Sequence, residues 1–270
     1  LLHDNQRPPF ASVLKGGMMS QDIFVEVGHG PTLIDNNIML SDASLRFATE
    51  GVALVHNLIC GALTCVGGGT GPRYTPYHMP HRTEVMGFMT VLHGDDRFYN
   101  NIFVQKWPSD DIITMHDSDD GFDTENRAAG TWMFDEYPTY DEWISQFDFS
   151  KPADMAKLYG AHEGKLPVWI EGNAYLGGAK PSKKDVNALI SAVAREDVRV
   201  ELVQKEDGYY LDTNVYELIE GFKNRMIDSD VLGKAFEPEE RFENPDGTAI
   251  RFDSDYLQQI GIEKLKSRLN

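Results

Sequence analysis

The chain has 270 residues, enough for one large domain or two ordinary ones, and its 41% hydrophobic and 25% charged content excludes wholesale disorder. A formal net charge of −18 with no basic cluster argues against nucleic acid or an anionic membrane surface as a partner, while a neutral sugar is compatible. No apolar run reaches bilayer length and no signal-peptide pattern is present.

The chain opens Leu1-Leu2-His3-Asp4-Asn5, and Leu1-Leu2-His3 reads as the later half of a strand. A fragment whose earlier coils are missing is the expectation. From Asp22 to about Lys106 the pattern is strand, turn, strand: Ile23 to Val27, Thr32 to Leu40, Val52 to Cys60, Thr83 to Thr90 and Arg97 to Val104. Within it one phrase recurs. Asn37, Asn57 and Asn101 each stand directly before an apolar β-forming run, 20 and then 44 residues apart. A period of about 20 to 22 residues carried by short strands predicts a parallel β-solenoid, each coil adding one strand to a stacked sheet. The recurring Asn belongs at a bend, where its amide can bond to the backbone and to the Asn of the next coil. Cys60 and Cys65 have no metal-ligand spacing and read as buried free thiols, which fits a reducing cytoplasm for the parent protein.

The glycine-rich run Gly67 to Gly71 is read as a flexible loop inserted into the solenoid, since it lacks the Lys-Ser/Thr of a phosphate-binding loop. After Trp107, acidic residues crowd from Asp110 to Asp123. A calcium loop is one reading, but the spacing does not match an EF-hand and a solvated acidic loop is preferred. One or two short helices are expected between Asp141 and Tyr159, and another at Lys184 to Arg195 or Tyr216 to Arg225. Short strands at Pro167 to Tyr175, Val198 to Gln204, Gly208 to Asp212 and Thr248 to Phe252 predict a β-sandwich-like second domain. The expected layout is therefore all-β: solenoid coils with inserted loops over 1–125, a connecting segment over 126–164, and a β-sandwich-like domain over 165–270.

Three groups of residues could do chemistry. In the strand at Ile23, alternation turns Ile23, Val25 and Val27 to the core and Phe24, Glu26 and Gly28 outward. Glu26 could be a simply exposed strand residue. Beside Phe24 and His29 it could instead be the half-desolvated carboxyl that a general acid needs. Glu50 and His56 flank the next strand and are candidates for the same surface, against a turn residue and a surface histidine. The run Tyr74-Thr75-Pro76-Tyr77-His78-Met79-Pro80-His81-Arg82-Thr83-Glu84 mixes aromatic, imidazole and carboxylate groups between two prolines. That suits a pocket wall stacking on a sugar, with Tyr74, Tyr77, His78, His81 and Glu84 as contacts. Zinc on His78, His81 and Glu84 would need a helix that Pro80 breaks, so no metal site is expected.

The string Asp22-x-Phe24-x-Glu26-Val27-x-His29-Gly30-Pro31, with Asp35-Asn36-Asn37, Glu50-Gly51 and Val55-His56-Asn57-Leu58, resembles glycoside hydrolase family 120. So do Tyr74 to Glu84 and Gly94-Asp95-Asp96-Arg97-x-Tyr99-Asn100-Asn101. The likeness is carried by motifs over about 1–107 and more thinly over 165–252, by Trp169 to Gly178 and Glu243 to Gly247. It implies a right-handed parallel β-helix with an accompanying β-sandwich. It also implies hydrolysis of β-xylosides or related pentosides by a retaining two-carboxylate mechanism, with no cofactor required. Glu26 then matches the acid/base. His29, Glu50, His56, Tyr74, Tyr77, His78, His81 and Glu84 become substrate contacts. The family's nucleophilic Asp would fall before Leu1, and Asp4 does not match its motif, so the fragment alone is expected to be inactive. The alternatives are a β-helix protein that binds carbohydrate without cleaving it and, further behind, a polysaccharide lyase. A homo-oligomer is left open.

Overall fold

The structure is a computed structural model that describes residues 2–3, 21–66, 74–107, 109–116, 124–148, 150–151 and 165–252. Short strands dominate, and successive stretches of chain pass through three sheets in the same order. The first pass gives β1 (Ile23–Glu26), β2 (Thr32–Asp35) and β3 (Ile38–Met39). The second gives β4 (Ala43–Ala48), β5 (Val52–Val55) and β6 (Leu58–Ile59). The third begins with β7 (Ala62–Val66), inserts a hairpin of β8 (Tyr74–His78) and β9 (Val85–Thr90), then resumes with β10 (Asp96–Tyr99) and β11 (Ile102–Val104). After β12 (Ile113–His116) and β13 (Thr124–Ala128), a fourth pass adds β14 (Val168–Glu171) and β15 (Ala174–Leu176), with β16 (Leu189–Ile190) at the edge. Equivalent strands stack in parallel: β2, β5, β10 and β14 in one sheet, and β3, β6, β11, β15 and β16 in a second. In the third, β1, β4 and β7 are parallel and β13 closes against β7 in the opposite sense.

Each pass turns sharply, so the strands are shorter than the apolar runs suggest. The expected strand Val52 to Cys60 is two strands, bent at His56 and Asn57. Asn36, His56, Asn100 and Gly172 all have positive φ there, and each precedes a ladder asparagine. Asn and His reach this left-handed region more readily than most side chains, which suits them to the bend. The asparagines bond from pass to pass. The Asn37 N–H donates to Asn57 Oδ1 (2.9 Å), Asn57 Nδ2 to Asn101 Oδ1 (2.9 Å), and Asn101 Nδ2 to Asn173 Oδ1 (3.1 Å). Asn173 is the fourth rung, and it lies where the sequence suggested a separate domain.

Inside the passes, Leu45, Phe47, Leu54, Ile59, Phe98, Phe103 and Tyr175 form one core. The rings of Phe103 and Tyr175 stack at 5.3 Å. Ile23 and Val25 pack on this core and Glu26 is exposed, as the alternation in β1 predicts. Cys60 and Cys65 are buried free thiols, and burial pushes Cys60 up to about 12.

The β-sandwich expected from 165 is not what residues 165–252 form. β14 and β15 continue the sheets of the earlier passes, because Asn173 and the apolar residues beside it extend the same ladder and core. Beyond them, β17 (Val200–Lys205) and β18 (Gly208–Thr213) pair with each other as a separate two-stranded sheet among the described residues. With Val215 and Ile219 they cover the outer side chains Ile38, Leu58, Ile102 and Val104. Ile227, Leu232, Phe242 and Ile250 likewise cover Ala53, Val55 and Tyr99. No long helix is present at 184–195 or 216–225; Val215–Leu218 is a single short turn. At 140–144 a short helix does form, capped by Thr139 and Glu142.

Candidate active site

At the entrance to the β2 and β5 sheet, His29 and Glu50 stand one above the other on consecutive passes. Gly30 and Gly51 make this stacking feasible. A Cβ on Gly30 would lie 2.5 Å from the Gly51 carbonyl oxygen, and both residues have φ of +73°. Only glycine fits such close backbone approach at positive φ. His29 is 4% exposed and Glu50 fully buried. His29 Nδ1 lies 2.6 Å from Glu50 Oε1, and the Leu92 N–H donates to Glu50 Oε2 at 2.8 Å.

The inserted hairpin docks on this bend. Thr75 Oγ1 donates to the Val27 carbonyl (3.2 Å), and His29 Nε2 meets the Thr75 carbonyl (3.3 Å). A carbonyl only accepts, so Nε2 carries a proton; against an ionised Glu50, Nδ1 carries one as well. Burial works against the resulting charge, but the Glu50 hydrogen bond and charge outweigh it and raise the His29 pKa. The Tyr77 ring approaches His29 edge-on at 6.3 Å. Gly87 on the paired strand leaves room for that ring, since a Cβ there would come within 2.9 Å of it.

A third carboxyl joins from the far end of the chain. Glu237, His29 and Glu50 bring one potential donor atom each within 4.8 Å of one another. In its charged form the ring has no lone pair to offer a metal, and the three groups then make a hydrogen-bonded cation between carboxylates. The segment carrying Glu237 is fixed by Arg97. Its guanidinium pairs with Asp95 at 2.8 Å, donates to the carbonyls of Leu232 (2.9 Å) and Lys234 (2.7 Å), and lies against the rings of Trp169 and Phe242. Asp95 accepts from the Phe236 N–H at 2.9 Å. Burial outweighs the Arg97 charge and pushes Asp95 up to about 7.

The residues singled out from sequence divide accordingly. His29, Glu50 and Tyr77 are brought together, and Glu26 sits on the strand whose next residue, Val27, is bonded to the hairpin. Glu26 is exposed, not half-buried as a desolvated acid would require, because no segment among the described residues covers the outer face of β1 there. His56 is elsewhere. As the left-handed bend residue after β5 it is buried at the opposite end of that strand, 3.0 Å from Asn100 Nδ2 and against Phe252. Tyr74 is 60% exposed and Glu84 pairs with Arg82 in solvent. His78 is half-buried on β8, and His81 at the hairpin tip pairs with Glu243. Glu237, Asp95 and Arg97 were missed as site builders. Asp95 and Arg97 do stand in a motif of the resemblance, whereas Glu237 lies in the acidic stretch Glu237-Pro238-Glu239-Glu240 with nothing local to mark it. The Gly67–Gly71 loop and Asp117 to Asp123 lie outside the described residues.

A solved structure shares this fold. It is XylC in complex with xylose, 31% identical, with a TM-score of 0.70 over 88% of this chain. The match takes in 33% of XylC, so the present chain spans about one third of that protein's length. No protein-family model matches the chain, and no curated protein does. The likeness relates the chain to a protein whose structure holds xylose.

Proposed function

We propose that the protein is a glycoside hydrolase that acts on β-xylosides or related pentosides, built on a right-handed parallel β-helix. The observation that carries the reading is the likeness to XylC with xylose, at 31% identity over 88% of the chain. The family 120 motifs on the same residues agree with it. In this reading Glu26 is the acid/base of a retaining mechanism. It protonates the leaving oxygen as the sugar–enzyme bond forms, then takes a proton from the water that breaks that bond. An exposed carboxyl can serve because the bound sugar itself expels water from the outer face of β1. Tyr77, His78 and the hairpin supply the wall against which the sugar lies, with Tyr77 offering an apolar ring face and a hydroxyl. Glu50 and His29, buried beneath, hold that wall and do not touch the reacting bond. The nucleophilic carboxylate is assigned to no described residue, and Asp4 lies outside them.

The test is a panel of aryl glycosides given to the full-length protein, followed by proton NMR. Release of β-xylose ahead of its α-anomer, with slower turnover of glucosides, supports a retaining xylosidase. Xylose binding without release from any substrate would make the protein a carbohydrate-binding β-helix instead, and unsaturated uronic products would make it a lyase.

A further inference from the structure

His29 is where three segments distant in sequence meet: the bend before β2, the hairpin strand β8, and the C-terminal segment carrying Glu237. Its ring is gripped on both sides. Nδ1 lies 2.6 Å from Glu50 Oε1 and Nε2 lies 3.3 Å from the Thr75 carbonyl oxygen. Glu50 cannot follow the ring if it moves, because its other oxygen is held by the Leu92 N–H. Both acceptors are satisfied only by the doubly protonated ring. A neutral imidazole would have to turn a lone pair toward either the Glu50 carboxylate or the Thr75 oxygen, replacing attraction with repulsion in a site nearly closed to water.

We propose that His29 is a positioning residue: as an imidazolium it straps the β8–β9 hairpin to Glu50, so that the wall of the sugar cleft is fixed while the ring is charged and loosened when it is neutral. This role in catalysis rests on the glycosidase reading; the strap itself does not. The ionisable groups around the ring are Glu50 from the bend before β5, Glu237 from the C-terminal segment and Tyr77 from β8, with Asp95 and Asp96 near Glu50. The ring faces a predominantly acidic surround, which favours its charged form. Burial opposes the charge, and the Glu50 bond and charge, with a further contribution from Glu237, raise the His29 pKa above its ordinary value of about 6.5. The sign follows. The strap is complete at low pH, persists above the ordinary histidine range, and is lost as pH rises through the raised value.

The test uses the whole protein labelled with 15N-histidine. The resonance absent from His29→Asn, or shifted in Glu237→Gln should the first variant fold poorly, identifies the ring. Both nitrogens protonated at neutral pH, with a midpoint above that of free histidine, are expected. Glu237→Gln keeps both hydrogen bonds but removes a negative neighbour, so the midpoint should fall. The alkaline limb of kcat/KM for an aryl β-xyloside should fall with it, and hairpin amide exchange should rise above the same midpoint. A His29 ring that is neutral at pH 6.5, or hairpin exchange indifferent to that midpoint, overturns the strap. Absence of xyloside turnover by the full-length protein overturns the catalytic role and the glycosidase reading together, while the NMR and exchange results still decide the strap.

Discussion

The two ends of strand β5 are built by opposite rules. At the Asn57 end, one residue type repeats from pass to pass, and the Asn57 and Asn101 amides make the same bonds, to the asparagine of the next pass and to a backbone carbonyl of the pass before. At the Glu50 end the backbone glycines repeat, at Gly30, Gly51 and Gly94, but the side chains beside them do not. His29, Glu50 and Asp95 stand at comparable bends on successive passes, and their partners are Thr75, Leu92, Phe236 and Glu237, drawn from three other parts of the chain. Repetition gives a ladder whose rungs support one another. Irregularity gives a place where a carboxylate, an imidazolium and a phenol ring can differ from their neighbours above and below, which chemistry needs and stacking does not.

The comparison can be broken from either side. Arg97 is the largest expected effect, because it neutralises Asp95 and ties down two carbonyls of the C-terminal segment inside the protein. Arg97→Met should cost about 3–5 kcal/mol by leaving the Leu232 and Lys234 carbonyls without a donor and Asp95 without its counter-charge. Urea unfolding reads that loss, and the segment around Glu237 should become sensitive to protease first. A loss under about 1 kcal/mol would mean that the segment is held by its apolar contacts alone. On the ladder side, Asn57→Ala strands the Ile34 carbonyl and the Asn37 backbone N–H and removes one of the two donors to Asn101 Oδ1, and should cost about 2–3 kcal/mol. Asn37→Ala, at a half-buried rung, should cost less than Asn57→Ala in the same assay. Equal costs at the two rungs would show that burial does not set the worth of a rung.

The ladder end was largely legible in the sequence. The Asn-before-apolar phrase marked three of its four rungs, and alternation in β1 put Glu26 outside and Val25 inside. Asn173 carries the same phrase, but its separation from Asn101 by 72 residues hid the repeat and suggested a second domain in its place. The run Val52 to Cys60 reads as one strand although Asn57 belongs at a bend, and nothing local marks His56 as its left-handed residue. The site end was legible only where its residues are close in sequence, as with Tyr77 in the hairpin and His29 beside its glycine. Arg97 bonds a carbonyl 135 residues away, and no local pattern announces a contact of that kind. Burial stayed open in the sequence for the same reason. Whether Glu26 is covered and His56 is not depends on segments that return from elsewhere, and the structure leaves the first exposed and covers the second with Phe252.

Leaving-group dependence of Glu26→Gln tests the reading of Glu26 as proton donor most directly. Compare kcat/KM with wild type on an aryl β-xyloside with a poorly acidic phenol and on one with a strongly acidic phenol. Loss of general-acid assistance should lower the first by roughly 10²- to 10⁴-fold and leave the second far less affected, with xylose affinity retained. An equal fall on both substrates, or no fall on either, would contradict it.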